Sequence, residues 1–297
     1  MTLSRSTATR YRCALATLIL SCGLAGSPAA ADTFFFSTGD TDGKIATLSR
    51  VASPGKLETE TADDFVTTHA AEITSASFIG LLPSGAPVSD ITQVEIELYH
   101  VFPLDSTTPP DTRVQTRNNS PSDNNFDARD SSVPGQLTFT ASVLSSSFTA
   151  ANSVVNGINA FPNQFTGGEG PVTGEEVVIN VTFTTPLDVG VDHIFFRPEV
   201  GLSSGDFLWL SAPKPILAPG TPFTTDLQTW IRTDGAGSLA PDWSRIGTDI
   251  THQGPFDAAF SLSGTIIPEP NSLVFLGAAL LALILLRINR SAQKDSR

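Results

Sequence analysis

Apolar and polar positions divide the chain into a long central stretch and two short, strongly apolar ends. In the centre the apolar residues recur with a period of two. Residues 91–102 are clearest: Val94, Ile96 and Leu98 alternate with Glu95, Glu97 and Tyr99. That pattern buries one face of a strand and wets the other. Val177, Ile179, Val181 and Phe183 alternate in the same way with Val178, Asn180, Thr182 and Thr184. The reading also predicts strands over 73–82, 136–148, 192–200, 206–210, 227–232 and 256–265. Pro, Gly, Asn and Ser clusters separate them, as turn residues do. Only 149–157 offers a helical turn. The expectation is all-β: a single sandwich of jelly-roll type with long polar loops over 103–134, 159–174 and 214–225.

The two ends read as addresses. Arg5, Arg10 and Arg12 precede an apolar stretch that begins at Cys13. Ala29-Ala30-Ala31 supplies a small-x-small site, so residues 1–31 are expected to be a signal peptide cleaved before Asp32. Ile19-Leu20-Ser21-Cys22-Gly23 loosely imitates a lipoprotein box, but Leu20 is bulky where a small residue is usual. At the other end Pro268-Glu269-Pro270 precedes an apolar run over 272–286, then Arg287, Arg290, Lys294 and Arg297. At about 1.5 Å per residue the run reaches roughly 22 Å, short of a ~30 Å hydrocarbon core. Extending it to 271–288, with Arg287 snorkelling, approaches spanning length. The cations after the run place the body outside and the tail in the cytoplasm. The expected organisation is a signal peptide over 1–31, an extracellular domain over 32–264 and a C-terminal segment over 265–297.

The order Pro268-Glu269-Pro270, short apolar helix, basic tail with Arg287 and Arg290 resembles the PEP-CTERM sorting signal of exported bacterial proteins. The resemblance covers about residues 265–297. It implies processing by an exosortase-type enzyme near the tripeptide. It also implies delivery to the envelope or to an extracellular polysaccharide matrix. The competing reading is a plain membrane anchor. In the body, Thr61-Ala62-Asp63-Asp64-Phe65 and Pro241-Asp242-Trp243-Ser244-Arg245 look like uncharacterised secreted proteins with the same tail, which implies no activity.

Composition sharpens this partition. The chain of 297 residues has a net charge of −13. Three arginines lie before residue 32; two acids and four cations lie after residue 267. The stretch between therefore holds 28 acidic against 10 basic side chains, a charge of −18. This charge disfavours nucleic acid, and none is expected as a partner, because phosphate binding needs a basic surface. Both cysteines, Cys13 and Cys22, fall in the signal, so the body has no disulfide and depends on core burial or metal.

Candidate chemistry is sparse. Gly201-Leu202-Ser203-Ser204-Gly205 matches the nucleophile-elbow pattern, but a strand rather than a helix is expected after it. Asp226, Asp234, Asp242 or Asp249 with His252 would complete a triad in hydrolase order, yet acids are abundant enough to match by accident. A β-hairpin turn is the better reading. His69, His100, His193 and His252 lack zinc spacing, and His100 reads as a rim histidine. Asp123, Asn125 and Asp127 offer oxygen ligands at alternating positions, and Asp40 and Asp42 form a second acidic turn. Both are candidates for structural Ca²⁺, against ordinary Asx turns. Trp243, in a polar segment, is the candidate platform for stacking sugars, against burial; Trp209 and Trp230 read as core. The reading is an exported, surface-sorted, non-catalytic protein, with a carbohydrate-binding module or an extracellular hydrolase as alternatives.

Overall fold

Alternation along the chain becomes two largely antiparallel sheets in the computed structural model. It describes residues 32–106, 117–156, 158, 165–217, 220, 221, 223, 225–233 and 243–268, and residues 277, 279–284, 286 and 287 of a C-terminal helix. The strands are β1 (Thr33–Ser37), β2 (Ile45–Leu48), β3 (Thr59–Thr67), β4 (Ala71–Pro83) and β5 (Ile91–Val101). They continue with β6 (Pro121–Asp130), β7 (Leu137–Ala150), β8 (Asn152–Val154), β9 (Val172–Val189) and β10 (Asp192–Leu202). The last are β11 (Leu208–Ala212), β12 (Trp230–Thr233), β13 (Ser244–Arg245), β14 (Asp257–Ala258) and β15 (Phe260–Ile266).

One sheet runs β1-β15-β4-β11-β2-β8, with β9 also on β4, β7 on β9 and β14 on β11. The other runs β13-β12-β3-β10-β5-β6. The main core lies between them. Phe36, Ile73, Phe78, Val181, Trp209 and Phe260 come from the first sheet; Phe65, Val94, Ile96, Leu98, Ile194 and Phe196 come from the second. Phe196 stacks on Phe260 at 5.0 Å across the interface, and Phe78 meets Phe196 edge-on at 6.5 Å. Trp209 is buried in this core with its indole N–H donated to the Ala259 carbonyl at 2.9 Å. Gly80 permits the close approach of β4 to β11. A Cβ there would lie 2.2 Å from the Phe207 ring and 2.5 Å from the Leu208 carbonyl.

Residues Thr33–Ile267 form one compact unit. Its first and last strands are neighbours, with Thr33 opposite Thr265. The last sheet hydrogen bond runs from the Ile267 N–H to the Ala70 carbonyl at 2.8 Å. The C-terminal helix exposes Leu280, Leu281, Leu283, Ile284 and Leu286. Among the described residues no helix is long and apolar enough to cross a membrane.

Four expectations are corrected. First, the polar loop over 103–134 contains β6, an edge strand paired to β5 with two register shifts. Its polar residues fit an edge, where one row of backbone groups needs no sheet partner. Second, the described part of the expected helical turn over 149–157, residues 149–156, is not helical: it ends β7 and contains β8, which pairs in parallel with β2. Third, Gly201–Gly205 does not join a hairpin. β10 and β11 lie in different sheets, so the segment arches from one sheet to the other. Fourth, the outward face of β5 is not fully wetted, because Glu97 and Tyr99 are buried. The strand β3, absent from the sequence reading, is buried on both faces although six of its nine residues are Thr, Glu or Asp.

Candidate functional site

The outward face of the six-stranded sheet carries an ionic lattice built by strand register. β10 alternates core residues Ile194, Phe196 and Val200 with outward Phe195, Arg197 and Glu199. Register then sets Arg197 opposite Glu97 and Glu199 opposite Glu95 on β5, and Arg232 of β12 opposite Glu60 of β3. The Arg197 guanidinium is buried. Its Nη2 donates to Glu97 Oε2 at 2.5 Å and to Glu58 Oε1 at 3.4 Å, and lies 3.0 Å from Glu60 Oε1. Its Nη1 lies 2.7 Å from Glu199 Oε2. Arg232 donates to both oxygens of Glu60 and covers the Trp243 ring at 4.6 Å. The Tyr99 hydroxyl bonds Glu60 Oε1 at 2.8 Å and also contacts Glu97. Next to this lattice Ala62, Tyr99, Phe195, Trp230 and Trp243 pack into a small apolar cluster.

Electrostatics here are dominated by burial. Loss of water raises Glu199 well above the usual carboxylate range, although Arg197 pulls it down. Burial, opposed by Arg197 and helped by Glu97, brings Glu95 to about 7. Burial pushes Tyr99 above its ordinary value against the pull of Arg197. For Arg197 burial acts against the charge, but Glu199, Tyr99 and Glu97 outweigh it and raise its pKa.

A second group sits where β3, β14 and the segment after β11 meet. Lys214 Nζ lies 2.6 Å from Asp226 Oδ2 and 2.8 Å from Asp257 Oδ1. Asp63, on the inward face of β3, accepts the Ala258 N–H at 2.8 Å and contacts the Thr229 hydroxyl at 3.2 Å. Asp64, one residue on and facing outward, lies 2.6 Å from His193 Nε2 and accepts the Leu227 N–H. Burial, then repulsion from Asp257 and Asp64, raises Asp63 well above the usual range. Burial brings Asp257 to about 7 despite Lys214. Lys214 and Asp226 also line an open cavity of about 340 Å³ with Asn119, Gln228, Trp230 and Arg245.

The residues singled out from the sequence fall elsewhere. Trp243 is not an exposed platform. It is fully buried, edge-on to Tyr99 at 5.7 Å, with its indole N–H donated to the Ser122 carbonyl at 3.1 Å. The calcium candidates are not brought together. Asp40 and Asp42 flank the nine-stranded sheet; Asp123, Asn125 and Asp127 lie on β6 of the other. Asp42 pairs with Lys44 and accepts from Ser211, Asp123 pairs with Arg117 at 2.6 Å, and Asp127 with Arg129. Ser203 is tied through its N–H to the Asp90 carbonyl, whereas His252 packs on Phe165. Asp226 is held by Lys214 and Asp249 by Arg245; Asp234 and Asp242 lie outside the described residues. His100 is a rim histidine as expected, 2.7 Å from Asp192 and stacked on Phe126. Pro268 follows the last sheet bond and Arg287 lies in the helix; Ala29, Ala31, Glu269, Pro270 and Arg290 lie outside the described residues.

The sequence reading missed the lattice itself. Its one local signal was charge at alternate positions of predicted strands: Glu95 and Glu97, Arg197 and Glu199. These observations define an all-β protein of two sheets with buried ionic groups on one of them. The chain matches no family model, no curated protein and no solved structure.

Proposed function

We propose that this is an exported, surface-sorted protein of the cell envelope or extracellular polysaccharide matrix, with a non-catalytic body. In this reading the two sheets form a jelly-roll-like sandwich outside the cell. The helix over 271–288 engages the membrane, and an exosortase-type enzyme processes or anchors the chain near Pro268-Glu269-Pro270. The observation that carries it is the extent of the compact unit. Thr33–Ile267 begins one residue after the expected signal-cleavage point and ends one residue before Pro268. Both expected cuts therefore fall outside the hydrogen-bonded strands and would leave β1 paired to β15. Intact-mass analysis of fractionated cells tests this. The expected mature species starts at Asp32 and ends near Pro268. A full C-terminus in wild-type membranes, unchanged when the exosortase is removed, would leave only an anchor.

The open cavity favours a second reading, a carbohydrate-binding module. Asn119, Gln228, Arg245 and the almost fully buried Trp230 line it. Sugar sites combine such hydrogen-bonding groups with apolar surface. Among the described residues Asp226 is the one carboxylate lining it, and it is already paired with Lys214 at 2.6 Å, which favours binding over acid–base chemistry. A glycan array with the full protein should show binding that Gln228→Ala weakens about tenfold or more. Equal binding by wild type and variant would remove this reading.

A further inference from the structure

We propose that Glu58, Glu60 and Glu199 form a binding site for one divalent cation of the calcium class. One carboxylate oxygen from each lies within 4.8 Å of the other two. Ca²⁺ takes oxygen ligands at about 2.3–2.6 Å, so side-chain shifts of a few tenths of an ångström would let one ion reach all three. The donor set is all oxygen, without sulfur or imidazole, which suits a hard cation. Ca²⁺ tolerates irregular geometry and bound water; Mg²⁺ demands a tighter octahedron.

An acidic cluster alone would mean little. The second observation is Glu199. Its side chain is fully buried, yet neither carboxylate oxygen accepts a hydrogen bond. The Arg197 Nη1 is close to Oε2 at 2.7 Å but outside hydrogen-bonding direction. A buried carboxylate without a donor is costly. A bound cation would supply what Oε1 lacks.

Charge counting points the same way. Among the described residues, Glu58, Glu60, Glu95, Glu97 and Glu199 gather around two guanidiniums, Arg197 and Arg232. A divalent ion would offset most of the excess. Arg197 engages one oxygen of Glu58 and one of Glu199, leaving each a second. Glu60 already serves Arg197, Arg232 and Tyr99, but a carboxylate has about four lone-pair sites. Glu58, with 30% of its side chain exposed, opens the site to solvent, while Glu60 and Glu199 form its floor. The site is independent of how the chain is sorted.

The test uses the full chain, stripped of metal with chelator, and calcium chloride as the probe. The melting temperature of wild type is expected to rise by roughly 5 °C or more at saturating millimolar calcium, and less with magnesium. Glu199→Gln should abolish the rise. Glu58→Gln, at a half-exposed rim position, should weaken it by about tenfold in calcium concentration without threatening the fold. Asp127→Asn, on β6, should keep it in full. No calcium shift in wild type overturns the proposal. So does a shift that Glu58→Gln leaves intact, or one that Asp127→Asn removes.

Discussion

Replacing Arg197 by methionine is expected to destabilise the protein by about 3–5 kcal/mol, the largest loss from any single outward-facing side chain of the six-stranded sheet. The reason is what stays behind. The guanidinium is buried and touches Glu58, Glu60, Glu97 and Glu199. Methionine fills a similar volume, so packing is largely kept. The carboxylates of Glu60, Glu97 and Glu199 remain buried with Arg232 as the nearby cation. Removing one partner of a buried pair leaves an uncompensated charge, and that cost exceeds the net worth of the pair. A second substitution separates this from lost packing. In the Arg197→Met background, Glu97→Gln should recover part of the loss, because it removes a buried carboxylate that has lost its guanidinium. Urea unfolding of the four proteins in the cycle measures the coupling. A loss under about 1 kcal/mol for Arg197→Met, or simple additivity, would show that the lattice is not held by this charge.

The lattice was out of reach of the sequence for a physical reason. β5, β9 and β15 were legible because each alternates an apolar inward face with a more polar outward one. β3 was not. Thr59, Glu60, Thr61, Asp63, Asp64 and Thr67 are polar, and the strand is stable only because partners elsewhere satisfy them. Those partners are set by register, which no local pattern carries. Arg197 meets Glu97 because β10 lies antiparallel to β5. β6 escaped too: Asp123 and Asp127 look like loop residues until the strand is paired with β5, where Asp127 lies opposite Leu98. Trp243 misled in the opposite direction. Its neighbours in sequence are polar, but its neighbours in space are Tyr99, Phe195 and Trp230. The Gly201–Gly205 turn shows the limit most plainly. The same five residues can close a hairpin or span two sheets, and only the partners of β10 and β11 decide.

The group around Lys214 should make the fold less stable as pH rises from about 4 to 7. Asp63, Asp226 and Asp257 all have folded pKa values above their ordinary ones, with burial the leading cause in each. The charges facing them are Lys214, Asp64 and His193, and Lys214 and His193 only partly offset the rise. The folded protein therefore keeps protons that the unfolded chain has released. Unfolding is then favoured as pH climbs, and the part due to Asp257 levels off above about 7, where that group is ionised in both states. Lys214 is raised from 10.5, so its contribution changes only at higher pH. Hydrogen bonding fits a neutral Asp63. The Thr229 hydroxyl has one hydrogen and lies 2.9 Å from the Phe256 carbonyl, so a protonated Asp63 can donate to the Thr229 oxygen at 3.2 Å. Asp257→Asn isolates the effect. The amide mimics the protonated acid, its oxygen can still accept from Lys214, and Oδ2 has no hydrogen-bond partner to lose. Urea unfolding from pH 4.5 to 7.5 should show wild type losing roughly 2–4 kcal/mol more than Asp257→Asn across that range. Asp206, whose pKa is lowered by Lys56 and Arg50, titrates in both proteins and cancels in the comparison. Parallel curves would mean that Asp257 is ionised throughout, with Lys214 holding its charge against burial.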